Sequence, residues 1–270
     1  MRILFFVLVI ISTSGCSIAN IIFAINKDTD GFLTFKGDSR VNYERGAEAN
    51  AAIIANGLSE AISTIEEKQY GGFIKPVVVY LPSSIDSYSS YCVSRKSGAC
   101  VLNKRLFISP KLKNTKDRIP RLLIHELSHL YMEQQLGMLS WHNGFPLWFR
   151  EGLAVYASNG AGAENVSVSE AKQAIIENDH FIPNDSGSLF FPKGSKSFGM
   201  THHMFYRQMG LFVSWLHQTE PGLFESLIKN IKDGKSFNAA LQTSYNTTIE
   251  SLWAEFSQSI KSKMKKVSIT

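Results

Sequence analysis

The sequence predicts an α+β fold: a small sheet toward the N-terminus, one functional helix near the middle, and a mainly helical C-terminal half. Three observations predict it. Short strand-like runs bounded by turn residues fall before residue 110. Beyond that point apolar residues recur at helical spacing. Between the two regions, Leu122, Leu123, Leu127 and Leu130 draw an apolar face through His125-Glu126-Leu127-Ser128-His129, so this segment reads as a half-buried helix. At 270 residues, 44% hydrophobic and 11% aromatic, the chain can bury one sizeable core, and it contains no internal repeat or low-complexity block. The expected division is a leader over residues 1–15, an N-terminal segment over 16–40, and one domain over 41–270.

Met1-Arg2 precedes a nine-residue apolar run, Ile3 to Ile11, which is too short to span a bilayer. Ser12-Thr13-Ser14-Gly15-Cys16 follows, and small residues leading into a cysteine resemble the lipobox of bacterial lipoproteins. That resemblance implies cleavage before Cys16 and a lipid on it. The alternative is an uncleaved anchor, because Ile18 to Ile25 is apolar as well and could complete one interrupted span. Either reading tethers the protein to a membrane, in the cell envelope, with its body outside the cytoplasm. Of three cysteines this leaves Cys92 and Cys100, a pair available for a disulfide in an oxidising compartment. So short a loop would contribute about 2–3 kcal/mol.

Ile21 to Ile25 and Phe32 to Phe35 read as two strands of a hairpin around Asn26 to Gly31. The same turn partly matches a calcium-binding EF-hand loop, with Gly37 standing where that loop needs a bidentate glutamate, so the hairpin is the preferred reading. Val41 to Gln69 has Ala47, Ala51, Ile54, Leu58, Ile62 and Ile65 near helical spacing and reads as one long helix closed by Gly71-Gly72. Pro76 to Leu81 and Arg105 to Ser109 are strands, the second a candidate edge for pairing with an extended substrate. Pro146 suits the first turn of a helix that Asn159-Gly160 closes. Glu170 to Glu177 and Thr201 to His217 are helical, with a Gly- and Pro-bearing loop, His180 to Met200, between them. Lys261, Lys263, Lys265 and Lys266 lack interleaved aromatics and read as a solvated tail, so with a net charge of only +5 no nucleic-acid partner is expected.

The chemistry lies in two segments. Positions i and i+4 of a helix share a face, so His125 and His129 can share one tetrahedral metal, and Glu126 can reach a water beside it. A catalytic zinc needs a third protein ligand and an open fourth position. Glu151 sits in an otherwise apolar helix with Leu147, Trp148, Val155 and Tyr156, where a carboxylate is costly unless it meets a metal or a cation. Pairing with Arg150 or Arg121 is the bland alternative; ligation is the preferred one.

His125-Glu-Leu-Ser-His129 followed by Trp148-Phe-Arg-Glu151-Gly-Leu-Ala154 resembles the gluzincins, and more closely the bacterial peptidase-MA-like domains, whose second motif reads W-x-x-E-G-x-A. Tyr206 to Val213 and Leu227 through Trp253 are similar to that family's later helices, and the likeness runs from Val77 to Phe256. It implies a zincin-like fold, a bound Zn2+ held by His125, His129 and Glu151, Glu126 as general base, and a peptide or protein substrate. Tyr206, by its match to the family helix, is implied as donor to the reaction's oxyanion, with His202 or His203 as substitutes. Two rivals remain open: a zinc-bearing scaffold without turnover, against which the retained Glu126 speaks, and a hydrolase of a non-peptide amide.

Overall fold

The computed structural model describes residues 19–114, 118–188 and 191–267. The leader and Cys16 lie outside them. Two compact units emerge, one from the residues up to Asn56 with Pro76–Lys116, the other from Gly57–Lys75 with Asp117–Thr270. The fold is α+β, as the sequence predicts, with a small sheet and a mainly helical C-terminal half.

The first unit opens with a helix over residues 19–26 (α1), where a strand was expected. The 16–40 hairpin is therefore not formed as read. Instead β1 (Leu33–Thr34) pairs antiparallel with β2 (Val41–Tyr43), around a turn in which Arg40 clasps Asp38. β2 corrects the expected single helix over 41–69, since α2 starts only at Glu48 and ends at Lys68. Within α2 the buried Ala51, Ile54, Leu58, Ala61 and Ile65 keep the 3-4 spacing of one apolar face.

β3 (Val79–Leu81), β4 (Ala99–Leu102) and β5 (Arg105–Ile108) complete a sheet of order β1-β2-β3-β5-β4. β5 runs parallel to β3 and antiparallel to β4, so it is interior. The strand read as a substrate-pairing edge is thus covered on both sides, and β4, unrecognised in the sequence, takes the edge. α3 (Ile85–Cys92) starts at Ser84, whose side chain accepts from the Ser87 N–H. Tyr88 and Tyr91 of α3 pack with Phe107 of β5; the Tyr91 and Phe107 rings stack at 4.7 Å. Cys92 and Cys100 form a disulfide beside this cluster, with Cα atoms 5.9 Å apart.

The second unit is helical: α4 (Ile119–Leu136), α5 (Met138–Gly144), α6 (Leu147–Ala157), α7 (Val168–Ile176), α8 (His202–Thr219), α9 (Pro221–Lys232), α10 (Phe237–Tyr245) and α11 (Ile249–Val267). Its centre is Trp148, ringed by Phe149, Phe181, Phe212 and Phe237, with the indole N–H donating to the Asn184 carbonyl at 2.8 Å. α6 and α8 cross at close range, and two glycines permit it. A Cβ on Gly210 would stand 2.3 Å from Val155 Cγ1, and one on Gly152 would stand 3.0 Å from the Met209 carbonyl oxygen.

Gly210→Ala therefore tests the crossing. Alanine's better helix propensity would add up to about 1 kcal/mol, but overpacking at this contact costs about 1–3 kcal/mol. A net loss of about 1 kcal/mol, seen as a lower melting temperature, is the expected result; a more stable variant would refute the tight crossing.

Candidate metal centre

α4 presents its motif through an ordinary amphipathic design. Leu123, Leu127 and Leu130 are buried on one side of the helix, and His125 and His129 share the other, one turn apart. Ser128, inside the motif, lies to one side of the histidines and accepts a 2.5 Å hydrogen bond from Gln69 Nε2. Lys232 donates to the carbonyls of Gln69 and Tyr70, satisfying the chain where α2 ends.

α6 brings Glu151 to the two imidazoles. His125 Nε2 and His129 Nε2 lie 3.3 Å apart, and each lies 3.4 Å from Glu151 Oε2. Tetrahedral coordination with bonds of about 2.0–2.1 Å puts neighbouring donor atoms about 3.3–3.4 Å apart. The donor set and its spacing fit one such ion. Among the described residues this is the cluster of three or more His, Cys, Asp or Glu side chains able to hold a metal. The bland reading of Glu151 is set aside by geometry, because Arg150 points elsewhere and Arg121 is exposed.

Arg150 is buried and its Nη1 lies 2.6 Å from His142 Nδ1, while His142 Nε2 lies 3.2 Å from Glu133 Oε1. The guanidinium can only donate, so His142 Nδ1 accepts and Nε2 carries the proton toward the carboxylate. This cation–imidazole–carboxylate chain ties α6 to α5 and α4 directly behind the ligand. The sequence reading missed it. Its one visible signal was Glu133, an acid on the apolar side of α4 eight residues past His125.

The Gly- and Ser-rich stretch leaving α6, which Asn159-Gly160 opens as a helix stop, builds one wall of the site. Asn159, Gly160 and Gly162 all take positive φ, at 54°, 104° and 85°. A Cβ on Gly162 would stand 2.8 Å from the Tyr206 ring and 3.7 Å from His125 Cε1. Glu164 holds the loop, meeting Arg118 at 2.9 Å and the N–H of Gly162. Arg207 clasps the carbonyls of Ala163 and Val166 at 2.9 and 2.8 Å. Tyr206 then lies nearly parallel to His125, at 6.3 Å and 13°, and its hydroxyl hydrogen-bonds Glu151. His202 stacks on Tyr206 at 3.9 Å and is exposed, whereas His203 leans toward Glu164 at 3.8 Å.

The electrostatics separate the two glutamates. Burial alone would push Glu151 up, but the facing His129 and His125 outweigh it and hold the carboxyl well below its ordinary value. Burial raises Glu126, with the histidines pulling it partly back and Glu151 adding to the rise. One acid is thereby kept as an anion among the donors, and the other becomes a better proton acceptor and carrier. Burial and the adjacent Glu151 push the Tyr206 phenol well above its usual range, so it stays a donor.

The sequence profile of the Peptidase MA superfamily matches residues 113–262, from six residues before α4 into α11. A comparison with curated proteins finds no match to the chain.

A divalent ion should bind folded protein and not the unfolded chain. At a hundredfold excess over its Kd it should add about 2.7 kcal/mol of stability. A melting temperature that rises with added Zn2+ in the native sequence but stays fixed in His129→Ala and Glu151→Ala is the expected pattern. Equal shifts in all three would show that the ion binds elsewhere.

Proposed function

The chain belongs to the Peptidase MA superfamily, and on that premise we propose that it is a zinc-dependent metallopeptidase anchored in a cell envelope. The observation that carries this is the donor triangle, with edges of 3.3–3.4 Å, closed by His125, His129 and Glu151. These three would hold the zinc. When bound, such an ion acidifies a water and polarises the carbonyl about to be attacked.

The remaining work falls to the protein. Glu126, on the same helix but outside the triangle, takes the water's proton and later gives it to the leaving amine. Its raised proton affinity suits both halves of that transfer. Tyr206 donates its hydroxyl hydrogen to the developing oxyanion, exchanging its present partner Glu151 for the substrate. Gly162 and the loop held by Glu164 set where that hydroxyl stands. The His142 chain behind Arg150 fixes α6, so that Glu151 is not free to swing toward solvent. A peptide or protein is the substrate class that the superfamily favours. A scaffold without turnover would leave Glu126 beside the donors with no task, and a structural zinc has no need of it.

Anchoring is proposed from the apolar run Ile3 to Ile11 and the Gly15-Cys16 step that follows. The Cys92–Cys100 disulfide supports a body in an oxidising compartment. No described helix is long and apolar enough to cross a membrane.

Kinetics separate the two catalytic roles. Glu126→Gln should keep its zinc and lose about 10²–10⁴ in kcat, and Tyr206→Phe should lose about 10²–10³. Both losses should appear in kcat more than in KM on any peptide the native enzyme cleaves. A fully active Glu126→Gln enzyme rules out this mechanism, while a fully active Tyr206→Phe enzyme moves the oxyanion role to His202 or His203. Cys16→Ser tests the anchor: intact mass should show an unlipidated, uncleaved precursor, whereas native protein already starting at Met1 without lipid means an uncleaved anchor.

A further inference from the structure

Helix α1 is assembled the wrong way round for a helix bathed in water. It is firmly docked, because Arg105 donates through Nη2 to the carbonyls of Ala24 and Ile25, each at 2.8 Å, and through Nη1 to that of Lys27 at 2.7 Å. Lys27 in turn reaches Ser90 Oγ and lies 4.3 Å over the Tyr91 ring. This docking buries Ala24 fully, at 1% exposed, and covers Ile21 and Ile25 in part, yet Ile22 and Phe23 remain 55% and 66% exposed. A surface helix normally buries its largest apolar side chains and shows water its small or polar ones.

A second observation places more apolar surface at the same spot. Val93, which ends α3, is held at φ 53° and ψ 20°, a conformation that β-branched residues rarely adopt, and it is 40% exposed. Phe23 and Val93 border one groove of about 290 Å³ together with Asn20, Ser89, Ser94 and Arg95. Hydroxyl, amide and guanidinium groups therefore adjoin an apolar rim. The Arg95 guanidinium meets Asp86 in an exposed pair, a contact of little strength that water or another anion can replace.

We propose that this face rests on a lipid bilayer, with Ile22, Phe23 and Val93 in the outer acyl layer and the polar groove at headgroup level. The sequence names this occupant over others. The apolar run Ile3 to Ile11 and Cys16 stand just ahead of α1, so a chain held there brings Phe23 to within a few residues of the bilayer. Arg95 and Lys96 supply positive charge that complements anionic headgroups. The inference rests on the anchoring reading above and extends it, from a flexible tether to a face with a fixed orientation at the surface.

Benzoylphenylalanine placed in turn at positions 23, 93 and 39 of the full chain in cells provides the test, Ser39 being an exposed residue of the β1–β2 turn. After irradiation, lipid adducts at 23 and 93 and none at 39, identified by mass, are the expected result. Adducts to protein at 23 and 93 would overturn the membrane face in favour of a protein partner. A membrane-bound chain without lipid adducts would overturn the face and leave the anchor standing. A chain found wholly in the soluble fraction would remove the anchor, and this face with it.

Discussion

The centre of this protein depends on keeping one ionised carboxylate out of water. Glu151 is largely buried in the second unit, its side chain 14% exposed, on a helix whose inward residues are Trp148, Phe149, Leu153 and Ala154. A lone carboxylate there would cost several kcal/mol and would sooner take up a proton than remain charged. It remains charged because two imidazole nitrogens face it at 3.4 Å. Without a cation, only imidazole N–H protons stand between these closely spaced nitrogen and oxygen atoms. That crowding makes the triangle a candidate site for a metal, and a metal bound there would add to the stability of the fold.

Packing sets where the His125 donor stands. His125 Nδ1 is buried and has no hydrogen-bond partner among the described residues, so its ring is oriented by Tyr206 on one side and the space left by Gly162 on the other. The three glycines at the site act by what they omit. Gly152 and Gly210 let α6 and α8 approach until their backbones nearly touch, and Gly162 lets a loop run flat beneath the tyrosine ring. A close-packed interior transmits small displacements, so each missing Cβ is felt at the donor atoms. Behind Glu151, the buried Arg150 donates through Nη1 to the His142 imidazole, which passes the interaction on to Glu133.

The first unit follows a different logic. Its aromatic cluster of Tyr88, Tyr91 and Phe107 and its single disulfide hold a short sheet of strands too brief to be stable alone. Arg105 spends its guanidinium on the open carbonyls at the end of α1, which is how an N-terminal helix with little buried surface stays attached.

The sequence by itself determined the parts of the site that depend on spacing along a helix. His125 and His129 at i and i+4 share a face by helical geometry alone, and Glu151 stands out as an acid on an apolar helix whose ends Pro146 and Asn159-Gly160 mark. The long apolar periodicity of α8 and the start of that helix at Thr201 were legible for the same reason. Other features depend on partners far away in the chain, and there the sequence misled or was silent. Ile21 to Ile25 is rich in β-branched residues, yet it is helical, because Arg105 of a distant strand caps it. Val41 to Tyr43 sits in an alanine-rich stretch but pairs with Val79 to Leu81, a register that no local periodicity encodes. The interior place of β5 follows from β4 folding back on it, and β4 is four residues long. Which histidine meets which acid, whether Arg150 serves Glu151 or His142, and why residue 162 must be glycine are all set by helices crossing in space. Periodicity reports which face of an element is buried; only the tertiary structure decides against what.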